Sequence, residues 1–467
     1  MRSYKSIISI LLVLLPWLSA EVLALLVFRS HIWDAAPLWN DELGYWRESV
    51  SFAAHGVNMG YITFDELIPR IGSFGLHGLG CTIVYAVFAL IFGPVDWLIP
   101  ISNLLVLSLA ILCLFLLLPS LKDRLWCTLL ITLFPPLNLY ILSSMSEILN
   151  YAICIAYAVL LHRLALIPKK KGHIILFLFV FFSSFIRVYY VLFLFPALWV
   201  WYHSFTRRSF CVATLCFVYA VTLYVLVGLF VAPYPDGFLT HLFDGNSFEK
   251  VLSAFVSHAF HNFLLFIYDS SAAHIEIIQR WAYLSTMLYL LYRLIRNKCR
   301  GYVIALSMLL LFWGCVICAY DVFAMRDYRV LSPILLSSYI YIERERRWFP
   351  FILIAIECVI SAYNLSRPGF YQSNQNRFVS VAGSPEFEVI IPFDTTATDP
   401  FENTVIVPTT DDRYLIKNLS LGLGVSVVSN PELAKSRYLI SYTPKEILGY
   451  TLIAHTKSNY YVYCKQN

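Results

Sequence analysis

Apolar runs as long as a membrane-spanning helix recur along the chain, and they constrain its fold more than any other feature. The hydrocarbon core of a bilayer takes about 20 apolar residues in a helix. Charged residues make up 13% of this chain, whereas soluble domains carry about 25%. We therefore predict an α-helical polytopic membrane protein with about 11 transmembrane helices. The predicted spans are residues 7–28, 98–118, 125–142, 148–166, 173–187, 188–203, 209–231, 275–294, 301–320, 330–342 and 348–364.

One shorter apolar run, residues 76–92, decides the topology. Cytoplasmic loops are enriched in Lys and Arg. If Met1–Lys5 is inside and 76–92 does not cross, the later cationic clusters also fall inside; if 76–92 crosses, they all move outside. We therefore predict an interfacial or re-entrant helix at 76–92, with the N-terminus cytoplasmic and the C-terminus outside. The clusters are Lys122 with Arg124, Lys169–Lys171, Arg207 with Arg208, Arg296 with Lys298 and Arg300, and Arg344 with Arg346 and Arg347.

The segments 173–187 and 188–203 are each short for a complete crossing. They could instead form one long helix, which would break the alternation of inside and outside loops. Two crossings are favoured because they place Arg207 and Arg208 on the cytoplasmic side.

The predicted topology divides the chain into a transmembrane module, residues 1–364, and an extracytoplasmic tail, residues 365–467. The outer face also holds two loops, 29–97 and 232–274. The tail is polar and alternates β-like with helix-like segments, which predicts a small α/β domain. No phosphate loop or nucleotide-binding fingerprint occurs in it. Its predicted strands are 404–407, 425–428, 438–442 and 460–463, and its predicted helices are 411–421 and 431–436.

Two adjacent carboxylates follow the first span on the predicted outer face. Asp41 and Glu42 lie among Trp39, Tyr45 and Trp46, and such aromatic residues favour the membrane–water boundary. A carboxylate held there, on a short amphipathic helix over 41–52, could act as a general base. Acids in the first turn of a helix also suit the helix dipole without any chemistry. Both interpretations stay open at this point.

A third carboxylate, Glu147, lies between two predicted spans on the same face. It follows Ser143 and Ser144, either of which could cap a helix that begins at Glu147. The alternative is functional, because Glu147 would face the same aqueous cavity as Asp41.

Arginines on the predicted outer face are exceptions to the charge rule. Arg187 lies at a span boundary, and Arg326 and Arg329 open the span at 330–342. A bound anion would explain them, since a guanidinium can hold a phosphate through two parallel hydrogen bonds. Arg187 could instead reach the outer head groups, and Asp327 could instead pair with one of the other two.

Histidine and cysteine positions give no metal-binding pattern. His77 begins the 76–92 helix, where a lone histidine is more often a satisfied interfacial residue than a ligand, and it remains a candidate site residue together with Tyr45. Cys315 and Cys318 have no zinc-like setting because they fall inside a span. We predict no cofactor; a divalent metal is compatible with the carboxylates, but nothing in the sequence indicates one.

The order of these motifs resembles the GT-C superfamily of membrane glycosyltransferases, which use polyprenyl-phosphate sugars. With its outer α/β tail, the architecture is similar to that of bacterial serotype-converting O-antigen glucosyltransferases. The resemblance lies in the stretch Trp39-Asn40-Asp41-Glu42-x-x-Tyr45, in a helix that starts at His77-Gly78 and ends at Phe92-Gly93, and in a late span that opens with Tyr328-Arg329-Val330-Leu331-Ser332-Pro333.

The resemblance implies a role for each candidate residue. Asp41 would be the catalytic acid–base residue, with Glu42 and Glu147 as supporting carboxylates. Arg187 and Arg329 would lie near the lipid phosphate. The implied reaction moves a sugar, glucose by this resemblance, from a polyprenyl-phosphate donor to an outer glycan such as O-antigen, with inversion. The implied location is the bacterial inner membrane, and the partners are the lipid donor, the glycan acceptor and membrane lipid.

Two other functions are weighed against this one. A transporter should show internal repeats and charges at mid-membrane depth, whereas no repeat is found and these acids cluster at the outer edge. An O-antigen polymerase or ligase relies on Arg and His in a large late loop, and the 232–274 loop keeps that alternative open. A nucleic-acid partner is not expected, because the net charge of +5 comes from cationic clusters at span ends.

Overall fold

The structure is a computed structural model, and it describes most of the chain. The candidate residue His77 lies outside the described residues, as do the side chains of Arg326 and Asp327. The described residues are 2–38, 40–64, 79–118, 120–166, 170–202, 206–226, 247–269, 274–297, 300–319, 325–346, 348–365, 391, 393–394, 396–407, 413–428, 435–444, 446–457 and 459–466.

The chain is mainly helical up to residue 365, and the tail contains a mixed β-sheet. A π-helix, Ala24–Phe28, follows α2, and a 3-10 helix, Val188–Phe193, precedes α10. The helices are α1 (Arg2–Val13), α2 (Leu15–Leu23), α3 (Asn40–His55), α4 (Leu79–Phe92), α5 (Leu98–Phe115), α6 (Leu121–Leu133), α7 (Pro135–Tyr140), α8 (Glu147–Leu166), α9 (Lys170–Ile186), α10 (Leu194–Tyr202), α11 (Arg207–Leu226), α12 (Phe248–Ile267), α13 (His274–Asn297), α14 (Arg300–Ala319), α15 (Met325–Arg346), α16 (Trp348–Leu365) and α17 (Arg413–Asn418).

The protein is a multi-pass membrane protein. Five helical stretches of the described residues are long and apolar enough to cross a bilayer, and shorter apolar helices occupy other predicted spans. The count of about 11 crossings stays a prediction. The five stretches are Ile7–Phe28, Leu98–Phe115, Glu147–Ala165, Phe248–Ile267 and Gly301–Cys318.

The chain turns back on itself at Arg187. The rings of His173, near the start of α9, and Trp201, near the end of α10, lie 5.1 Å apart. The two segments therefore form a hairpin, not one continuous helix. The 3-10 segment rises about 2.0 Å per residue, against 1.5 Å in an α-helix. This extension brings the short second segment to roughly 26 Å, close to the thickness of the bilayer core.

Helix α4 lies against the outer ends of two neighbouring helices. A side chain at Gly80 would collide with the backbone of Ile186, where α9 ends. At the other end of α4, Phe92 packs against Trp97, which precedes α5. Both ends of α4 thus meet helix ends that the predicted topology places outside. Its exposed apolar side chains recur at helical spacing and form one face: Ile83, Val87, Leu90 and Ile91.

The segment predicted as an outer loop at 232–274 contains a helix, α12, that the sequence reasoning did not identify. Glu249, His258 and His261 interrupt the apolar run of α12, which hides the helix from a search for continuous hydrophobicity. Asn262 donates a hydrogen bond to the carbonyl of Ile317 at 2.9 Å. Because Ile317 is near the end of α14, the N-terminal half of α12 lies beyond that helix.

A mixed sheet forms the tail, and one of its edge strands comes from the connection between α3 and α4. The sheet order is β1-β3-β2-β4-β6-β5, with parallel pairs up to β4 and antiparallel pairs after it. The sequence placed the whole sheet within 365–467 and missed β1 and β5. The predicted helix at 431–436 lies mostly outside the described residues. The strands are β1 (Ile62–Phe64), β2 (Thr404–Val407), β3 (Gly424–Val427), β4 (Tyr438–Ser441), β5 (Tyr450–His455) and β6 (Tyr461–Lys465).

Candidate active site

Five of the candidate residues meet in one polar cluster at the ends of separate helices. Asp41 and Tyr45 come from the first two turns of α3, and Glu147 is the first residue of α8. Arg187 lies at the apex of the α9–α10 hairpin, and Arg329 lies in the first turns of α15. The contacts described below join them directly.

Glu147 lies between the two arginines. Its Oε1 is 3.3 Å from Arg187 Nη2 and 3.8 Å from Arg329 Nε. The side chain of Glu147 is only 1% exposed, and it is the first residue of α8. Arg187 Nη2 also donates to Ser146 Oγ at 2.9 Å. Glu147 therefore holds both guanidinium groups in position, on the side of the cluster that is shielded from water.

Asp41 is the acid of the cluster that solvent reaches. Its Oδ2 accepts a hydrogen bond from Arg329 Nη1 at 3.3 Å. Its side chain is 24% exposed, against 1% for Glu147. A substrate that approaches the cluster would therefore meet Asp41 and Arg329 before it met Glu147.

Tyr45 completes the cluster one turn after Asp41. Arg187 Nη2 donates to its hydroxyl oxygen at 3.4 Å. Burial raises the pKa of Tyr45 well above its ordinary value, and the nearby positive charge of Arg187 opposes that rise only in part. Tyr45 is therefore a neutral phenol at physiological pH.

The charges of this cluster balance, which admits two interpretations. Asp41 and Glu147 together neutralise Arg187 and Arg329, as in an ion-pair network with a purely structural role. The arrangement also holds two guanidinium groups side by side at a partly open surface, which is what recognition of a phosphate needs.

The other candidates have different positions. The Glu42 side chain is fully buried, and its Oε2 accepts a hydrogen bond from the backbone nitrogen of Leu38 at 2.6 Å. This contact fixes the entry of the chain into α3. Arg326 belongs to α15, but its side chain and the whole of His77 lie outside the described residues.

Sequence reasoning missed Arg47, which ties the helix of Asp41 to the tail. Its fully buried guanidinium donates to the carbonyls of Ile416, Leu419, Ser420 and Leu423. Burial lowers its pKa to about 10, so it stays charged at neutral pH. These carbonyls follow or end α17, where a helix leaves its last acceptors unpaired.

A second contact holds the same helix to the tail from another side. Lys417, on α17, forms an ion pair with Asp96 and lies over the ring of Trp46. Trp46 in turn donates from its indole nitrogen to the carbonyl of Val95 at 2.9 Å. The tail therefore contacts α3 within two helical turns of Asp41.

The described residues include no group of three His, Cys, Asp or Glu that could hold a metal ion. Within the cluster, the Arg329 guanidinium contacts both Asp41 and Glu147. The guanidinium of Arg329 thus already occupies the position between the two carboxylates.

Comparison with known proteins identifies the fold. Neither a family model nor a curated protein sequence matches the chain. The structure is similar to the oligosaccharyltransferase of Archaeoglobus fulgidus in its apo form, with a TM-score of 0.51 and 11% identity over 94% of this chain and 69% of that one. The chain has a GT-C fold.

Two further solved structures give TM-scores below 0.5. ArnT from Cupriavidus metallidurans in the apo state gives a TM-score of 0.45 with 10% identity, over 99% of this chain and 98% of that one. ArnT bound to undecaprenyl phosphate gives 0.43 with 10% identity, over 97% of each chain. The resemblance to GT-C enzymes that the sequence motifs indicate is confirmed at the level of the fold.

Proposed function

We propose that this protein is a membrane glycosyltransferase that moves a sugar from a polyprenyl-phosphate donor to an extracytoplasmic glycan. The observation that carries the proposal is the convergence of Arg187 and Arg329 on Glu147, next to the partly exposed Asp41. A GT-C fold supports it, because the cluster lies where helix ends meet the outer loop that the family's acidic motif occupies.

The two arginines bind the phosphate of the donor. Each is mostly buried, with 11% of Arg187 and 15% of Arg329 exposed, so an anion at their open side interacts through little water. Electrostatic interactions strengthen when water is excluded. Glu147 keeps both guanidinium groups in place, and Asp41 releases Arg329 Nη1 as the phosphate arrives.

Asp41 is the general base of the transfer. It accepts the proton of an acceptor hydroxyl while that oxygen attacks C1 of the donor sugar from the face opposite the phosphate. The bond between C1 and the phosphate oxygen breaks, and its electron pair stays on the lipid phosphate. Arg187 and Arg329 stabilise the charge that develops there. A single displacement of this kind inverts the anomeric centre.

No metal ion takes part in this reaction scheme. The leaving phosphate is stabilised by guanidinium groups, and the carboxylates that could bind a divalent cation already contact Arg329. Glucose as the sugar, O-antigen as the acceptor and the inner membrane as the location follow from the sequence resemblance and belong to the proposal.

Transfer by the purified protein tests the proposal. The protein is reconstituted in liposomes and incubated with radiolabelled polyprenyl-phosphate glucose and a panel of lipid-linked glycans. We expect the label to appear in the glycan, with an inverted linkage relative to the donor. Absence of transfer from every polyprenyl-phosphate sugar tried would reject the proposed function.

A further inference from the structure

Helix α12 carries an exposed apolar stripe. Five of its apolar side chains are 48–81% exposed, and they recur at every fourth residue, so they follow one side of the helix. Exposed polar residues lie beside this stripe, whereas Val251, Asn262 and Phe266 are buried. The apolar stripe consists of Phe248, Leu252, Val256, Phe260 and Leu264. The polar residues beside it are Glu249, Ser253, Ser257 and His261.

Helices α12 and α14 run in opposite directions where they meet. Asn262 donates to the carbonyl of Ile317 at 2.9 Å. One turn later in α12, the ring of Phe266 lies 6.0 Å from the ring of Trp313, which is one turn earlier in α14. The last turns of α12 therefore lie beside the end of α14, and its earlier turns lie beyond that end.

The end of α14 marks the outer boundary of the bilayer core. This helix has 20 residues and is thus about 30 Å long, which is the thickness of the core. Its first residue, Arg300, belongs to a cationic cluster that is predicted to be cytoplasmic. Residues 248–261 of α12 extend about 21 Å from Asn262, on the far side of this boundary. They therefore lie outside the bilayer core and do not cross it.

The contact between Asp41 and Arg329 gives an independent reason that α12 does not cross the membrane. The two side chains lie on one side of the membrane, because Oδ2 of Asp41 is 3.3 Å from Nη1 of Arg329. The eight spans predicted between residues 98 and 320 return the chain to the side on which it started. A further crossing by α12 would leave Arg329 on the wrong side.

We propose that α12 is an interfacial helix on the outer surface of the membrane, with its apolar stripe at the boundary between head groups and acyl chains. Amphipathic helices of this kind bury their apolar face about 5–10 Å into that boundary. The formal charges of Glu249 and Lys250 cancel, so the attraction comes from apolar area and needs no anionic lipid. The partner of the stripe is the lipid surface itself, and the inference does not depend on the proposed sugar transfer.

Quenching by brominated lipids measures the depth of the stripe. Val256→Cys places a thiol-reactive fluorophore on the stripe, and Ser257→Cys places it on the neighbouring polar side as the matched control. Both positions are exposed, so neither change disturbs packing, and labelled wild type gives the background from the natural cysteines. The proteins are reconstituted in nanodiscs of phosphatidylcholine that is brominated either near the head group or near the chain end. We expect the shallow bromines to quench the label at 256 about threefold more than the label at 257, with little quenching of either label by the deep bromines. Added phosphatidylglycerol should leave this ratio unchanged.

Labelling from one side of the membrane separates a surface location from a crossing. A membrane-impermeant maleimide added to intact cells should label Lys250→Cys above the wild-type background. It should label Lys298→Cys, in a predicted cytoplasmic loop, only after permeabilisation. Protection of Lys250→Cys in intact cells, or strong quenching at 256 by the deep bromines, would show that α12 crosses the membrane. Equally weak quenching at 256 and 257 would show that the stripe faces water or another protein. Any of these results would overturn the inference.

Discussion

Arg329 Nη1 lies 3.3 Å from Asp41 Oδ2, although 288 residues separate the two in sequence. The start of α3 and the start of α15 therefore lie on the same side of the membrane. The chain between them must cross the bilayer an even number of times. This condition agrees with the eight spans predicted from sequence between residues 98 and 320, a set that does not include α12.

The contact predicts the location of the tail. A reporter that is active only outside the cytoplasm, fused after Leu365, should be active in intact cells. The same reporter fused after Lys298, in a predicted cytoplasmic loop, is the control and should be silent. A silent reporter after Leu365 would contradict both the topology and the placement of the candidate site.

Replacing the proposed base should abolish turnover without unfolding the protein. Asp41→Asn keeps the size of the side chain and removes its charge, so we expect transfer to fall about 10²–10⁴-fold. The measurement is the rate of sugar transfer at saturating donor. Glu42→Gln is the matched control, because Glu42 bonds the backbone of Leu38. If Glu42→Gln loses turnover and Asp41→Asn does not, the base is one residue further along.

Arg187 and Arg329 should contribute to donor binding through both the charge and the planar shape of their guanidinium groups, and Ala and Lys substitutions should separate the two contributions. Arg187→Ala and Arg329→Ala should each weaken binding of polyprenyl phosphate, measured as its inhibition constant, by about tenfold or more. Lys at either position should restore part of that loss, because it keeps the charge but not the planar fork. A change in acceptor KM alone would show that the arginines bind the other substrate.

Loss of the buried Arg47 should destabilise the attachment of the tail. Arg47→Met fills the space but leaves carbonyls of the residue 416–423 region without their donor, which should cost about 3 kcal/mol or more. The measurements are the thermal unfolding midpoint in detergent and the rate of proteolysis of the tail. Arg437→Met is the control, because the ion pair of Arg437 with Glu402 is about 40% exposed and should contribute less than about 1 kcal/mol.

A midpoint for Arg47→Met equal to that of Arg437→Met would show that the guanidinium does not hold the two parts together. A lower midpoint with unchanged proteolysis of the tail would place the damage within α3 instead.

Most of the predictions made from the sequence rest on hydropathy and charge, which both depend on how a residue is solvated. Arg187 and Arg329 stand out because an outer arginine is unusual next to a membrane, and the structure brings them together with Asp41. Arg47 gave no such signal, because it lies on a polar-looking helix and its partners are backbone carbonyls 369 or more residues away. Carbonyl groups leave no trace in a sequence.

The missed sheet strands have a related explanation. β1 is only three residues long, and a parallel strand pairs with a distant segment, so no local turn marks it. Its partner residues, Val425, Ser426 and Val427, are recognisable as a strand by themselves but not as the neighbours of Ile62–Phe64. Helix α12 was missed because polar residues interrupt its apolar run. One of these residues, Asn262, is accommodated by a hydrogen bond to Ile317 that is visible only in the structure.

The pairing of β1 with β3 sets an order on biogenesis. Residues 62–64 leave the ribosome hundreds of residues before 425–427, so the first edge strand is synthesised long before its partner exists. The sheet can close only after the helices that precede the tail, and the tail itself, have been synthesised. An unpaired edge strand is a template for aggregation. Because β1 is only three residues long, it offers few backbone groups for wrong pairing while its partner is still missing.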